Sequence, residues 1–355
     1  MRRLAFAMLL VATAAYGQGT QGDFYVHNFR FESGQTLDTL RLHYTALGKP
    51  RRDAAGTVRN AVMVLHGTGG TGRGFLSRNF AGVLFGPGEL LDTAKYYVIL
   101  PDDIGHGGSS KPSNGMHAHF PEYTYDDMVR GEHLLLTEGL HVNHARLIMG
   151  TSMGCMHSWV WGYMYPDFMD GLVPLACAPT QIAGRNRMMR RMILDDIRVD
   201  PAWDGGDYKA QPKVGFSAAL QILYVLVSAP LVQQREAPTR DMADSVIRAY
   251  VAHGLQTMDA NDEWYAFNSS RFYDPSSHMS AITAPVLAIN SMDDLINPPD
   301  LNDQLIYPFI KKAKDVKFIE IPEGPNTHGH GTHSLPAVWG HYLRDFLATL
   351  PYRGP

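Results

Sequence analysis

Residues 147–154 read LIMGTSMG, an apolar run that ends in the pattern G-x-S-x-G and leads into a helix-compatible segment. This pattern is typical of a nucleophile elbow, a sharp strand-to-helix turn that lifts its serine, here Ser152, clear of the backbone. Gly150 and Gly154 fit this turn because a side chain at either position would collide with the turn or a neighbouring strand. A five-residue pattern also occurs by chance in many chains, so its value depends on the surrounding sequence.

Eight short segments have the composition of β-strands, and the last six of them are apolar on both faces. Helix-length segments separate most of them, which predicts a mostly parallel, eight-stranded sheet covered by helices on both faces, an α/β fold. The predicted strands are Phe24–Phe31, Leu40–Ala46, Ala61–Leu65, Tyr97–Leu100, Arg146–Met149, Leu172–Ala176, Val286–Ile289 and Val316–Ile321. The predicted helices are Asp126–Glu138, Met153–Tyr165, Leu301–Lys312 and Pro336–Leu350.

The alternation of strand and helix stops between residues 179 and 284, where the chain is helix-prone and rich in methionine and aromatic residues. We expect residues 18–178 and 285–355 to form the core and residues 179–284 to form a helical cap insert. An ordinary helical subdomain with its own core is the plainer interpretation. Both can hold together, because ligands in open α/β sheets bind outside the carboxyl ends of the strands.

The first residues have the form of a signal peptide. Arg2 and Arg3 precede the apolar stretch 4–15, and the small residues Ala15 and Gly17 suit cleavage. The apolar stretch is shorter than the ~20 residues that a membrane span needs. We therefore expect residues 1–17 to be a cleaved signal peptide. The mature chain is then periplasmic or secreted, without a stable membrane span.

Composition excludes several classes of protein. Hydrophobic residues make up 45% of the chain and charged residues 19%, as in a globular enzyme. The net charge of −4 and the lack of a Lys/Arg-rich run predict no nucleic-acid partner. The two cysteines, Cys155 and Cys177, lie in apolar segments. An exported protein could pair them, but we favour buried free thiols.

A serine nucleophile needs a base that takes its proton and an acid that orients the base. In a fold with this elbow, the chain order is serine, then acid, then histidine. The acid is expected in the segment NSMDDLINPP at residues 290–299, directly after a predicted strand. Asp294 stands four residues before Pro298, a spacing usual after this strand in α/β-hydrolases, so we choose it over Asp293, which we interpret as a turn or capping residue.

The base is expected in the segment NTHGHGTH at residues 326–333. We choose His330 because glycines flank it and allow the loop to approach the serine closely. An alternative takes His328, His330 and His333 as metal ligands. That set has no acidic ligand in its own loop and does not explain the elbow, so no metal is expected.

The donors for an oxyanion are expected from the backbone of Met153, which follows the nucleophile, and of Thr68. Thr68 lies in the loop HGTGGTG at residues 66–72, which lacks the lysine of a phosphate-binding P-loop. After the next strand, Asp102 and its neighbouring glycines are interpreted as loop-shaping. His106 stands at the wrong place in the chain order for the base.

These motifs resemble the homoserine O-acetyltransferase branch of the α/β-hydrolases over nearly all of the mature chain. The segments that carry the resemblance are LDTAKYYVI at 91–99, GTSMGCM at 150–156, YPD at 165–167 and DPAWDGGDY at 200–208. Asp294 and His330 fall on the family's acid and base positions. The resemblance implies the α/β-hydrolase fold, acyl transfer from acetyl-CoA through a seryl intermediate in a tunnel, and a homodimer.

The departures from this family are also informative. Gly331 stands where the family has an Asp that faces the amino group of homoserine. Leu220 falls at the place of the Arg that holds the substrate carboxylate. An amino-acid zwitterion would then be uncompensated in a buried pocket, which costs several kcal/mol.

We therefore expect an exported ester hydrolase with a small-molecule ester or acyl substrate and no cofactor. One alternative is a homoserine O-acetyltransferase-type enzyme with acetyl-CoA as co-substrate. Lesser alternatives are a non-catalytic binding protein and a metal-dependent hydrolase.

Overall fold

The computed structural model describes residues 19–351, so the predicted signal peptide at residues 1–17 lies outside the described residues. All eight predicted strands are present, with ends that differ from the prediction by a few residues at most. They are β1 Thr20–Arg30, β2 Thr36–Leu47, β3 Ala61–Leu65, β4 Tyr97–Pro101, β5 Leu147–Thr151, β6 Leu172–Leu175, β7 Val286–Ser291 and β8 Val316–Ile321.

The strands form one sheet in the order β1-β2-β4-β3-β5-β6-β7-β8. β1 pairs with β2 and β2 with β4 in antiparallel fashion, and the remaining pairs are parallel. Every residue of β3 to β7 is buried, because helices cover both faces of the sheet. The predicted mostly parallel, eight-stranded sheet is thus confirmed.

Eleven α-helices lie in the described part of the chain. They are α1 Ala81–Leu84, α2 Tyr125–Leu134, α3 Met153–Met164, α4 Gly184–Val199, α5 Lys213–Val227, α6 Pro230–Glu236, α7 Arg240–Thr257, α8 Ala260–Ser269, α9 Asn302–Leu305, α10 Tyr307–Ile310 and α11 Pro336–Thr349. Trp159 and Trp161 of α3 pack on one face of the sheet, and Trp339 of α11 packs on the other.

Side-chain alternation along β5 divides the core between these two faces. Ile148 belongs to the layer beneath α3, whereas Leu147 and Met149 belong to the layer beneath α11. β5 lies between β3 and β6, so its carboxyl end opens at the middle of one sheet edge. The segments that follow β7 and β8 begin at the same edge.

Helices α4 to α8 lie between β6 and β7 in the chain, within the segment expected to form the cap. They have an apolar core of their own, to which α4 contributes Ile193 and Ile197, α5 contributes Phe216 and Leu220, and α8 contributes Phe267. Among the described helices, none is by itself long and apolar enough to cross a membrane. Only α5 and α6 taken together, across a bend of 107°, reach that length and composition.

The single helix expected at 301–312 is wrong. The chain forms two short helices there, α9 and α10, which meet at Ile306. Pro308 occupies the first turn of α10, where its missing N–H is tolerated. A continuous helix through this residue would lose a hydrogen bond and clash with the preceding turn.

The prediction of buried free thiols is also wrong. Cys155 and Cys177 form a disulfide, with their Cα atoms 5.9 Å apart. Cys155 lies in the first turn of α3, just after β5, and Cys177 lies just after β6. β5 and β6 are parallel neighbours, so residues that follow their carboxyl ends come together. The apolar composition of both segments gave no sign of this proximity.

Candidate active site

The turn after β5 has the geometry of a nucleophile elbow. Ser152 has φ 54° and ψ −108°, a backbone conformation that residues other than glycine rarely adopt. A Cβ on Gly150 would lie 2.1 Å from the carbonyl oxygen of Gly154, and one on Gly154 would lie 2.3 Å from that of Leu65. Both glycines are therefore required where the turn passes β3.

The structure brings Ser152, His330 and Asp294 into one hydrogen-bonded line. Ser152 Oγ lies 2.8 Å from His330 Nε2, and His330 Nδ1 lies 2.9 Å from Asp294 Oδ2. With its proton on Nδ1, His330 donates to Asp294 and accepts from the serine hydroxyl. His330 is 5% exposed and Asp294 is fully buried, so the contact between these two residues is shielded from water. A neutral imidazole in this arrangement can take the serine proton.

The backbone that follows Asp294 holds its carboxylate in place. The amides of Ile296 and Asn297 donate to Asp294 Oδ1 at 2.8 and 3.3 Å. Burial alone would raise the pKa of this carboxyl group. The charge of His330 and these hydrogen bonds outweigh burial and hold the pKa below its usual value. Asp294 is therefore an anion at neutral pH and can stabilise an imidazolium on His330.

Asp293, which we expected to be a turn or capping residue, links the acid loop to the histidine loop. Its Oδ2 accepts a hydrogen bond from the amide of Gly329 at 2.8 Å, and its other oxygen contacts the hydroxyl of Ser291. Gly329 has φ 58° and precedes His330 directly. Asp293 thus fixes the backbone that carries the histidine. The only signal in the sequence was its position beside Asp294.

The three histidines of the alternative metal site are not brought together as ligands. His328 is exposed, whereas the ring of His333 packs edge-on against His330 with centroids 4.9 Å apart. Burial, and then the neighbouring His330, lower the pKa of His333 to about 3, so it is neutral.

One other group in the described chain has potential ligand atoms within 4.8 Å of one another, namely Asp103, Glu132 and His157. Here His157 Nδ1 lies 2.8 Å from Glu132 Oε1, and Trp161 donates to the other Glu132 oxygen at 2.5 Å. None of the three residues lines the cavity at Ser152 or the cavity beyond the adjacent glycine loop. Glu132 and His157 are thus hydrogen-bonded to each other in the core, whereas neither carboxylate oxygen of Asp103 has a hydrogen-bond partner among residues 19–351.

The loop 66–72 passes close to the serine. A Cβ on Gly67 would lie 3.2 Å from the Cβ of Ser152, a tight contact that would press on the nucleophile. Asp102 fixes the loop, since its two carboxylate oxygens accept from the amides of Gly72 and Gly108, each at 2.7 Å. Asp102 therefore lies where a loop-shaping residue was expected.

The two expected oxyanion donors lie beside Ser152. Met153 is the first residue of α3, so its amide has no partner within the helix. Thr68 lines the cavity around Ser152, and its buried hydroxyl has no hydrogen-bond partner within residues 19–351. Backbone N–H groups aimed at the oxygen of a reacting carbonyl stabilise a developing oxyanion, and this remains the predicted role of the two amides.

A cavity of about 380 Å³ opens at Ser152 and His330; we call it the catalytic cavity. Among the described residues, no Asp, Glu, Lys or Arg lines it. Gly331 forms part of its wall, in line with its expected place beside the base. Leu220 does not, because it is buried in the core of α4 to α8, against Gly254. Among the described residues, the titratable side chains that line the catalytic cavity are thus the histidines His66, His330 and His333.

Comparisons with known proteins agree with this geometry. A family model described as alpha/beta hydrolase fold matches residues 60–320. A homoserine O-acetyltransferase from Moorella thermoacetica is 34% identical over 90% of this chain and 94% of its own length. The chain belongs to the homoserine O-acetyltransferase-like branch of the α/β-hydrolases.

Solved structures place both transferases and hydrolases on this fold. The homoserine O-acetyltransferase of Bacillus anthracis superimposes with a TM-score of 0.80 at 20% identity, over 93% of this chain and 98% of its own. An acetylester hydrolase from Corynebacterium glutamicum has a TM-score of 0.80 at 17% identity, over 94% of this chain and 97% of its own. The sequence-based family assignment is confirmed, and this member of the branch is an enzyme.

Proposed function

We propose that this enzyme is an exported ester hydrolase that forms an acyl-enzyme on Ser152. The observation that carries the proposal is a catalytic cavity whose described lining holds no Asp, Glu, Lys or Arg, around a Ser152–His330–Asp294 hydrogen-bond line. An uncharged ester fits such a cavity without leaving a charge unpaired. We propose further that helices α4 to α8 act as a cap that shapes the substrate pocket, to which α5 contributes Val227.

In the first half-reaction, Ser152 Oγ attacks the carbonyl carbon of the ester while His330 Nε2 takes the serine proton. The amides of Thr68 and Met153 donate to the oxyanion of the tetrahedral intermediate. When the bond to the alkoxy group breaks, His330 gives this proton to the leaving oxygen, so an alcohol departs. Asp294 stabilises the transient imidazolium and keeps its ring in place.

In the second half-reaction, water takes the position that the alcohol has left. His330 accepts a proton from this water as the water oxygen attacks the acyl carbon. The second tetrahedral intermediate then breaks its bond to Ser152 Oγ, which recovers the proton from His330. The products are a carboxylic acid and free enzyme, so no co-substrate other than water is consumed.

The lining of the catalytic cavity argues against homoserine as the acceptor, because its described residues include no Asp, Glu, Lys or Arg. Homoserine carries an ammonium and a carboxylate close together, and each needs a partner once it is desolvated. Gly331 offers no carboxylate, although a Cβ at this position would contact only the Cβ of His328 at 3.8 Å. A Cβ is thus tolerated at this position, but the sequence supplies no side chain there. Leu220 lies away from the cavity and offers no cation.

Export is part of the proposal. The basic and apolar residues before position 17 have the order of a signal peptide. The Cys155–Cys177 disulfide supports export, because disulfides persist in oxidising compartments such as the periplasm. Acetyl-CoA is a cytoplasmic metabolite, so an exported enzyme would transfer its acyl group to water. We also propose a homodimer, by resemblance to the branch, which sedimentation analysis can check.

The second candidate is a homoserine O-acetyltransferase-type enzyme with acetyl-CoA as co-substrate. The 34% identity to the Moorella thermoacetica enzyme favours it, because the resemblance extends over nearly the whole chain. Hydrolysis and transfer share the acyl-enzyme and differ only in the acceptor that reaches it. The two candidate functions therefore differ only in the second half-reaction.

The deciding experiment follows acetyl-CoA and p-nitrophenyl acetate in parallel, each with and without homoserine. We expect release of p-nitrophenol that does not depend on homoserine, and no homoserine-dependent release of free CoA. Homoserine-dependent CoA release would establish the transferase instead. Inactivation by a serine-directed organophosphate and retention of activity in EDTA would support the serine mechanism, and the reverse pattern would establish a metal-dependent one.

A further inference from the structure

A second cavity of about 360 Å³ lies beyond the glycine loop, opposite Ser152; we call it the acidic cavity. Gly70 and Thr71 line both cavities, so the two adjoin across a single stretch of loop. The end of α7, the start of α8 and the loop after β4 form the remaining wall. The stretch of loop at Gly70 and Thr71 is thus the wall that the two cavities share.

Two buried polar groups face the acidic cavity without a partner. Glu263 is 6% exposed and His106 is 4% exposed, and both line the cavity. Within residues 19–351, neither Glu263 Oε2 nor His106 Nε2 has a hydrogen-bond partner. Native proteins pair nearly all such atoms, so two of them beside one cavity point to a missing ligand.

The unpartnered atoms define what the ligand must offer. His106 Nδ1 lies 3.1 Å from the carbonyl oxygen of Ile104 and therefore carries the proton, which leaves Nε2 as an acceptor. An ionised Glu263 also offers only acceptors. Glu263 reaches the loop itself, since a Cβ on Gly69 would lie 3.2 Å from its Oε1. A ligand group that consists of donors fits both atoms.

The charges around the acidic cavity favour a cation. Asp259 and Asp262 line it together with Glu263, against one cation, Lys111, whose Nζ lies 2.9 Å from Asp262 Oδ2. The other carboxylates are satisfied by the protein, because Asp259 accepts from the amides that begin α8 and Asp262 accepts from Ser113. Glu263 is the acid left for a ligand.

We propose that the acidic cavity binds a primary ammonium group at the far end of the ester substrate, with Glu263 as its ionic partner. An ammonium has three N–H donors and no acceptor, which matches the unpartnered atoms. This inference rests on the function proposed above in so far as the ammonium belongs to a substrate of Ser152. It extends that function by naming a substrate class, namely amino-alkyl esters, whose reacting end is neutral.

Binding of the ammonium is coupled to pH. Burial, and then Asp262 and Asp259, raise the pKa of Glu263 to about 8. The carboxyl group is therefore mostly protonated at pH 7 and must release its proton to pair with the ligand. The charged and titratable groups around it are His106, Lys111, Tyr123, Tyr250, Asp259 and Asp262. Affinity for an ammonium should rise about tenfold between pH 7 and pH 9.

The first test uses the full chain with Ser152→Ala, so that binding is measured without turnover. Isothermal titration calorimetry compares n-butylammonium, n-butanol and n-butyrate, each against this protein and against the same protein with Glu263→Gln. We expect n-butylammonium alone to bind, and Glu263→Gln to weaken it about tenfold or more. Equal affinity in both proteins, or equal binding of n-butanol, would overturn the ammonium site.

Two further variants distinguish a specific effect of Glu263→Gln from a loss of binding caused by misfolding. Glu236→Gln removes an exposed acid at the end of α6 and should leave the affinity unchanged. Lys111→Met removes a cation that lines the cavity, and also one that lowers the pKa of Glu263. At about pH 9.5, where Glu263 is largely ionised, this variant should bind n-butylammonium more tightly, the opposite sign to Glu263→Gln, and the comparison is made at that pH. A protein weakened merely by misfolding would not bind more tightly. Weaker binding in Lys111→Met would contradict the proposed electrostatics.

The second test places the ammonium on the substrate. With the native serine, kcat/KM is compared for n-butyl acetate and for 2-aminoethyl, 4-aminobutyl and 6-aminohexyl acetates. We expect at least one amino ester to exceed the neutral ester about tenfold, through KM, and Glu263→Gln to abolish this preference. A preference that survives Glu263→Gln would overturn the proposal. If no ester is hydrolysed, the proposed function fails, while calorimetry still decides the cavity.

Discussion

The catalytic cavity and the acidic cavity lie on two sides of the loop 66–72 and differ in how their polar groups are satisfied. In the first, Ser152, His330 and Asp294 are already hydrogen-bonded in a line, and no Asp, Glu, Lys or Arg of the described chain lines the space. In the second, Glu263 and His106 each keep a buried atom without a partner.

This difference corresponds to two roles, catalysis in the catalytic cavity and ligand recognition in the acidic cavity. Groups that stabilise developing charge work best when they are fixed before the reaction, since no reorganisation is then needed. Groups that recognise a ligand can remain unpaired, because the ligand completes their hydrogen bonds. One loop serves both tasks, with Gly67 against Ser152 on one side and Gly69 against Glu263 on the other.

The largest expected effect is a loss of catalysis at Ser152 without a loss of ammonium binding in the acidic cavity. Ser152→Ala removes the nucleophile, so turnover of p-nitrophenyl acetate should fall about 10⁴-fold or more. The substitution removes one hydroxyl from the surface of a cavity, so circular dichroism and the thermal midpoint should stay close to those of the native protein. The measurement is initial rate at several substrate concentrations, with protein of matched folded fraction.

Undiminished turnover in this variant would exclude Ser152 as the nucleophile and with it the acyl-enzyme. The same protein should still bind n-butylammonium, since Glu263 lies across the loop from the serine. Loss of turnover together with retention of binding would show that the two cavities act separately.

A smaller effect concerns the stability of the acidic cavity. The folded-state pKa of Glu263 is raised to about 8, above the ~4.3 of an unfolded glutamate. Between these values the native state binds more protons than the unfolded state. This contribution to the free energy of unfolding is therefore complete below pH 4 and is lost as pH rises to about 8. The loss is at most about 5 kcal/mol.

Urea unfolding between pH 5 and pH 9 measures this slope, without added amine. Glu263→Gln cannot ionise, so its stability should fall less steeply with pH than that of the native chain. Glu132, whose pKa burial raises to about 7, contributes the same sign in both proteins and cancels from the difference. Glu236→Gln should keep the native slope. Parallel curves for Glu263→Gln and the native chain would show that Glu263 ionises freely.

Much of the fold was predictable because buried parallel strands are short apolar runs with little ambiguity. β3 Ala61–Leu65 and β8 Val316–Ile321 match the prediction at both ends. The two glycines of the elbow identified Ser152 as the candidate nucleophile. The order of residues along the chain then led to Asp294 and His330. The structure joins these three residues by hydrogen bonds. Local sequence carries these features directly.

Features that depend on packing between distant segments were not predictable. Asp293 contacts Gly329 across two loops, and nothing in its own segment distinguishes it from a turn residue. Glu263 meets Gly69 only after the segment 179–284 folds over the sheet edge. The single helix expected at 301–312 is absent for a local reason, because Pro308 is incompatible with the interior of a continuous helix.

The smallest of these effects concerns the disulfide near Ser152, which the sequence analysis did not predict. The Cys155–Cys177 disulfide closes a loop with a sequence separation of 22 residues and ties the first turn of α3, just after Ser152, to the end of β6. Loop closure of this length stabilises a folded chain by about 3 kcal/mol, mainly by restricting the unfolded state.

Urea unfolding with and without dithiothreitol should show this loss of about 3 kcal/mol in the native chain on reduction. The double variant Cys155→Ala, Cys177→Ala should have low stability in both conditions and no response to the reductant. Two other results would contradict the bond: equal stability of the oxidised and reduced native chain, or two free thiols in the unfolded, non-reduced protein. Because the disulfide lies in α3 and after β6, away from the acidic cavity, its reduction should leave n-butylammonium affinity unchanged as long as the chain stays folded.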